Sequence, residues 1–177
     1  MRTLTIALLL AASPLRSATA QQADTTLWTR LHYRFVGPEG NRAIAVVGEP
    51  GNPLVAYVGA ASGGVWKTED GGVHWRAVFD SEPAQAIGAL AIAPSAHNVV
   101  WAGTGETFFI RSMTALGNGA YRSTDGGRSW QHMGLDSTGR IARIVIHPAN
   151  PDVVLVCALG RAYGPAQQRG VYRTADG

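Results

Sequence analysis

A single cysteine, Cys157, stands in the 177-residue chain. An intrachain disulfide is therefore excluded, and no Cys/His cluster has the spacing of a zinc site. Cys157 lies in the apolar run Val153–Ala158, where a small buried hydrophobe is expected rather than a reactive thiol. Charge is sparse: 15% of residues, 15 basic and 12 acidic, with no basic run. Setting aside Arg2 and Arg16, which lie in the leader described below, leaves 13 basic residues against 12 acidic. That balance gives nucleic acid or an anionic membrane no foothold. Beyond the leader no stretch carries a sustained i, i+3, i+4 apolar stripe. Gly or Pro interrupts the pattern every few residues, which argues against a helical domain. The apolar run Leu4–Ala12 is too short to span a bilayer.

That short run does fit a secretory leader over residues 1–20. Arg2 supplies the positive n-region, Leu4–Ala12 the apolar segment, and Ala18-Thr19-Ala20 a small-x-small cleavage site before Gln21. No cysteine follows to carry a lipid. The mature chain is expected to be secreted or periplasmic, with no membrane span after cleavage. Residues 21–36 read as an N-terminal arm. Within it His32–Val36 is a short strand and a candidate for closing a ring of sheets.

What the chain has in abundance is glycine, 22 residues, and much of it sits in one recurring phrase. Lys67–Trp75 reads KTEDGGVHW and Arg122–Trp130 reads RSTDGGRSW; Arg173–Gly177, RTADG, begins a third copy. The shared pattern is [ST]-x-D-x-G-x-x-W: Thr68, Asp70, Gly72 and Trp75, then Ser123, Asp125, Gly127 and Trp130, then Thr174 and Asp176. Asp-Gly-Gly between two strand-like runs is a hairpin signal, because glycine takes φ > 0 without a Cβ clash. The Asp carboxylate can accept backbone N–H groups across its own turn, and the hydroxyl two places earlier can add a bond. Trp, three places past the second motif glycine, falls on the returning strand and can cover the turn. Each residue has a local task, so the turns are expected to be structural.

The flanks repeat too. Gly64-Val65-Trp66-Lys67, Gly119-Ala120-Tyr121-Arg122 and Gly170-Val171-Tyr172-Arg173 precede the three copies. Upstream, Leu90–Pro94 with Asn98–Gly103 returns as Ile144–Pro148 with Asp152–Cys157, and more weakly as Ile44–Val47 with Asn52–Gly59. From about Phe35 onward the unit resembles the Asp-box, or BNR, repeat of β-propellers. That repeat is shared by sialidases, xyloglucanase-type glycoside hydrolases, sortilin luminal domains and photosystem assembly factors. The resemblance is strongest to large secreted bacterial BNR-repeat proteins labelled glycosyl hydrolases. It implies an all-β chain, an incomplete β-propeller of about three four-stranded antiparallel blades over 37–177.

The strands follow from the phrases. Blade one is expected over 42–47, 54–59, 64–68 and 74–79; blade two over 87–92, 99–103, 119–123 and 129–133. Blade three is expected over 141–146, 153–158 and 170–174. Asp70 to Asp125 is 55 residues and Asp125 to Asp176 is 51, the length of a four-stranded blade. The first strand of each blade is apolar on both faces and is expected to be buried on two sides. Fewer than three blades against the usual four to eight reads as the N-terminal piece of a longer protein.

The Asp turns join third and fourth strands and share one face of the ring. The loops between second and third strands share the other. Two of these are long, Thr104–Asn118 and Leu159–Arg169, and long loops on a rigid scaffold are where recognition resides. They carry Glu106, Phe108, Phe109, Arg111, Arg161 and Tyr163, which suit a sugar or peptide ligand or, alternatively, packing between blades with solvated charges. Glycoside hydrolysis needs two carboxyl groups facing the bond. The acids near this face are Glu39, Asp80, Glu82, Glu106 and Asp136, and no spacing marks a pair. Where the xyloglucanase resemblance implies a catalytic Asp, before Gly63–Lys67, this sequence has Ala61. Sialidases carry an arginine cluster and a Tyr-Arg-Ile-Pro-like start, of which Tyr33–Pro38 keeps a trace. The expectation is a propeller that binds carbohydrate, peptide or extracellular protein, without metal or cofactor. The alternative is a xyloglucanase-like hydrolase with some acids outside these residues.

Overall fold

The computed structural model describes residues 35–38, 42–107 and 114–177. The chain separates into two units, Met1–Arg34 and Phe35–Gly177, and every described residue belongs to the second. The expected leader, most of the arm, and the candidates Glu39, Phe108, Phe109 and Arg111 lie outside the described residues.

Among the described residues all regular structure is β. Sheet one comprises β1 (Ala43–Glu49), β2 (Asn52–Ala60), β3 (Val65–Thr68) and β4 (Arg76–Ala77). Sheet two comprises β5 (Ile87–Ala93), β6 (Ala96–Thr104), β7 (Ala120–Ser123) and β8 (Gln131–His132). Sheet three comprises β9 (Ile141–His147), β10 (Asn150–Ala158) and β11 (Gly170–Thr174). Strands in each sheet lie in chain order and pair antiparallel, so the chain is an incomplete β-propeller of radial sheets.

Local chemistry explains the repeat of each sheet. The first two strands meet at two-residue turns, Pro50-Gly51, Pro94-Ser95 and Pro148-Ala149. Proline presets φ near −65° at the first turn position in all three. The ladder shifts register beside this turn and again at the far end of the pair, between Ala43 and Ala45, Ile87 and Ala89, and across Ile141 and Arg143. Such a shift bends and twists the strand at the start of every sheet.

Packing between sheets forms the core. Tyr57, Val65 and Phe79 of sheet one meet Ile92, Val100, Ala102 and Tyr121 of sheet two. The other face of sheet two, with Ala91, Val99 and Trp101, meets Ile144, Ile146, Val154 and Val156 of sheet three. Two glycines set the distance of approach. A Cβ on Gly59 would lie 2.5 Å from Ile87 Cγ2, and one on Gly103 would lie 2.4 Å from Ile141 Cγ2. The third sheet has Cys157 at the matching place, half-buried.

Two expectations need correcting. Burial on both faces holds for β5, which packs between β1 and β9. It fails for β1 and β9: Val46 is 73% exposed and Val145 47%. Among the described residues each of these has a sheet on one side only, so alternate side chains meet solvent. The outermost strands are also shorter than 74–79 and 129–133. Their first residues are drawn into the Asp turns, which leaves two residues each to pair as a ladder.

Candidate functional site

The Asp turns are built alike. Thr68 Oγ1 donates to Asp70 Oδ1 at 2.9 Å and accepts Gly72 N–H at 2.9 Å. Asp70 Oδ1 also accepts the N–H groups of Val73 and His74, at 3.0 and 2.9 Å. In the second turn Ser123 Oγ donates to Asp125 Oδ1 at 2.8 Å and accepts Gly127 N–H at 2.8 Å. Asp125 accepts Arg128 and Ser129 N–H, both at 2.9 Å, and Ser129 Oγ at 2.6 Å. Thr174 Oγ1 donates to Asp176 Oδ1 at 2.9 Å in the third. These donors favour the ionised carboxylates. The backbone and side chain of His74 hold Asp70 well below the usual carboxylate range. The Ser129 hydroxyl, with backbone N–H groups, lowers Asp125 to about 2.

Each turn is also tied down from outside. The first motif glycine donates N–H to its own sheet: Gly71 to Leu54 O, Gly126 to Asn98 O and Gly177 to Asp152 O, all at 2.9 Å. The indole N–H reaches the preceding segment, Trp75 to Val36 O at 2.6 Å and Trp130 to Val78 O at 2.7 Å. Clasps then run from one sheet to the next turn. Tyr57 O–H donates to Gly126 O at 2.9 Å, and burial raises its pKa, which keeps that donor protonated. Arg122 donates to Gly177 O at 3.3 Å and to Asp152 Oδ1. The recurring cation at 67, 122 and 173 was visible as a repeat, but this bridging by Arg122 was not.

The opposite face carries the second-to-third strand loops, with a repeating backbone seam at its root. Ala61 N–H donates to Arg42 O, Gly105 N–H to Ala86 O, and Leu159 N–H to Arg140 O. By this register Ser62, Glu106 and Gly160 are equivalent. Glu106 is 1% exposed, and its Oε1 accepts Arg42 Nη1 at 2.7 Å. Arg140, also buried, donates Nε–H to Gly160 O at 2.9 Å. Ala61 is sealed in the core. The loop 159–169 is held by Arg169, which donates to Leu159 O at 2.9 Å and Arg161 O at 3.0 Å. Gln168 accepts Ser137 N–H at 2.8 Å. The side chains of Arg161 and Tyr163 are left on the surface, Tyr163 68% exposed.

The candidates therefore divide. Glu106 is an interior brace between sheets, whereas Arg161 and Tyr163 face solvent. Asp80 and Asp136 are exposed, and Asp136 Oδ1 lies 3.4 Å from His132 Nε2. Arg42 and Arg140 were missed by sequence reasoning. Their only signal was a cation shortly before a first strand, which occurs in sheets one and three. The three first strands also line a groove of about 540 Å³ with Val46, Leu90, Arg143 and Val145 in its walls. Among the described residues no cluster of three His, Cys, Asp or Glu could hold a metal ion. No helix among them is long and apolar enough to cross a membrane.

The fold defines the chain as part of a β-propeller, and comparison with solved structures agrees. An ancestral GH74 enzyme matches with TM-score 0.63 and 26% identity over 81% of this chain. The Niastella koreensis GH74 enzyme matches with TM-score 0.55 and 20% identity over 72%. YCF48 from Cyanidioschyzon merolae matches with TM-score 0.50 and 17% identity over 78% of this chain and 39% of its own. The chain spans 18% and 19% of the lengths of the two GH74 structures. No protein-family model and no curated protein matches it.

Proposed function

We propose that this chain belongs to an exported Asp-box propeller that binds carbohydrate through the loops between second and third strands, acting as a recognition module. The observation that carries the reading is the burial of Glu106 in its pair with Arg42. A carboxylate at 1% exposure cannot meet a glycosidic oxygen without opening the sheet interface. Ala61, where the xyloglucanase resemblance implies the acid, has no titratable group at all. Arg161 and Tyr163, on a loop anchored by Arg169, present a guanidinium and an aromatic ring suited to a sugar. The likeness to GH74 enzymes supports carbohydrate over peptide as the ligand class. Residues 1–20 support export, and the Trp75–Val36 bond supports a ring-closing place for the segment expected over His32–Val36.

The test is affinity electrophoresis and calorimetry of the protein against xyloglucan, mixed-linkage β-glucan and sialosides. Saturable binding weakened at least fivefold by Tyr163→Ala or Arg161→Ala is expected. A folded protein that binds none of them would overturn the reading. A second reading, hydrolysis, is favoured by the 26% identity to a GH74 enzyme. Release of reducing ends that Asp136→Asn abolishes would establish it instead.

A further inference from the structure

Two loops of the loop-bearing face meet on one segment, the connection 134–140 between sheets two and three. From one side Gly117 N–H donates to Gly139 O at 2.8 Å and Ala120 N–H to Gly134 O at 3.0 Å. From the other, Ser137 N–H donates to the Gln168 side chain at 2.8 Å and Gly160 N–H to Thr138 Oγ1 at 3.3 Å. Residues 116–118 and 159–169 therefore border one surface.

The join is at Gly139. Its φ of +72° is a conformation that glycine takes without strain, and the residue is buried. A Cβ there would stand 3.2 Å from Arg161 Cγ and 3.4 Å from Leu116 Cδ2. The bare glycine lets a leucine of one loop and the stem of an arginine of the other close over the backbone as neighbours. Both stay open to solvent, Leu116 48% exposed.

The outer end of this pair is charged. Among the described residues no carboxylate pairs with the Arg161 guanidinium; the residue is held through its main-chain oxygen, which accepts from Arg169. Asp136, the acid on this connection, lies instead 3.4 Å from His132 Nε2. Arg169 is spent on Leu159 O and Arg161 O. What remains is an apolar footing, Leu116 and the arginine stem, with one uncompensated cation at its edge. The planar guanidinium fork matches a carboxylate through two parallel hydrogen bonds, which a neutral sugar cannot supply.

We propose that Leu116 and Arg161 form a subsite for a hexuronate unit, so that the glycan taken by this face is an acidic one. The inference rests on the carbohydrate reading above and adds the charge of the ligand. The apolar face of the pyranose ring lies on Leu116 and the Arg161 stem, and its carboxylate pairs with the guanidinium. Leu116 is thus a contact residue, and Gly139 sets how closely the two loops approach.

The experiment measures binding of the protein by calorimetry to polygalacturonate and to the same polymer fully methyl-esterified, at one ionic strength. Binding of the acid form is expected to be at least tenfold tighter. Arg161→Gln, which keeps part of the stem and loses the fork, should reduce it to the level of the ester and leave the ester unchanged. Leu116→Asn should weaken both polymers at least threefold. Arg128→Gln, on the Asp-turn face, should change neither, which separates the subsite from diffuse attraction of a polyanion. Equal binding of the two polymers, an Arg161→Gln variant that keeps the preference, or a Leu116→Asn variant that binds both as before would each overturn the inference. So would loss of the preference in Arg128→Gln. If neither polymer binds but xyloglucan or β-glucan does, the acidic subsite is refuted and the carbohydrate reading stands; if no glycan binds, both are refuted.

Discussion

Glu106 and Arg42 are 64 residues apart in sequence, yet the carboxylate of one meets the guanidinium of the other at 2.7 Å across the boundary between sheets one and two. The two ends of the pair live in different media: Glu106 is sealed, whereas the Arg42 side chain is half exposed. Water can therefore solvate Arg42 if its partner goes, but cannot readily reach Glu106.

That asymmetry predicts unequal costs. Arg42→Ala takes a cation from a buried carboxylate and should lower stability by about 2–3 kcal/mol. Glu106→Gln keeps the shape and leaves a solvated guanidinium, and should cost about 1 kcal/mol. Urea midpoints of the two variants check the order, and the reverse order would refute the account of Glu106 as an interior brace.

The Asp turns predict an acid limb. Asp125 is lowered to about 2 in the folded chain, against about 4 for an unfolded Asp. Its contribution is complete above pH 4 and is lost as pH falls from about 4 toward 2, since the unfolded chain binds the proton first. The carboxylate is near the surface, so salt screens part of the effect. Asp125→Asn should flatten the fall in melting temperature over that window. An unchanged acid limb would show that the turn's hydrogen bonds do not favour the ionised carboxylate.

Gly103 predicts overpacking. A methyl there would press on Ile141 Cγ2 at 2.4 Å and Cβ at 2.7 Å, in the interface of sheets two and three. Gly103→Ala should cost about 1–3 kcal/mol. In an Ile141→Ala background the added cost should be smaller, because that change removes Cγ2, the atom the new methyl meets first. A double-mutant cycle from thermal melts measures the coupling, and strict additivity would argue against the contact.

Trp130 predicts a separable hydrogen bond. Trp130→Phe keeps a ring beside Phe79 but removes the donor to Val78 O. A loss of about 1 kcal/mol is expected, with a larger loss for Trp130→Ala. No loss for Trp130→Phe would mean that ring packing alone holds the turn to the preceding sheet.

The sequence by itself determined the strand order within each sheet, the turn chemistry and the repeat length. Thr68, Asp70 and Gly72 satisfy one another within a few residues, so their pattern is complete wherever it occurs. The tertiary structure decided which candidates meet solvent and which bridge sheets. Glu106 and Tyr163 look alike as loop residues, yet one is interior and the other is not. The difference arises where Arg42, 64 positions away, comes to lie, and that depends on how closely two sheets pack. Likewise Arg122 was one cation in a recurring phrase until sheet three brought Asp152 and Gly177 O to it. Local hydrogen bonds are written in neighbouring residues; the partners of a side chain between sheets are set by the approach of two surfaces, which short-range pattern does not encode.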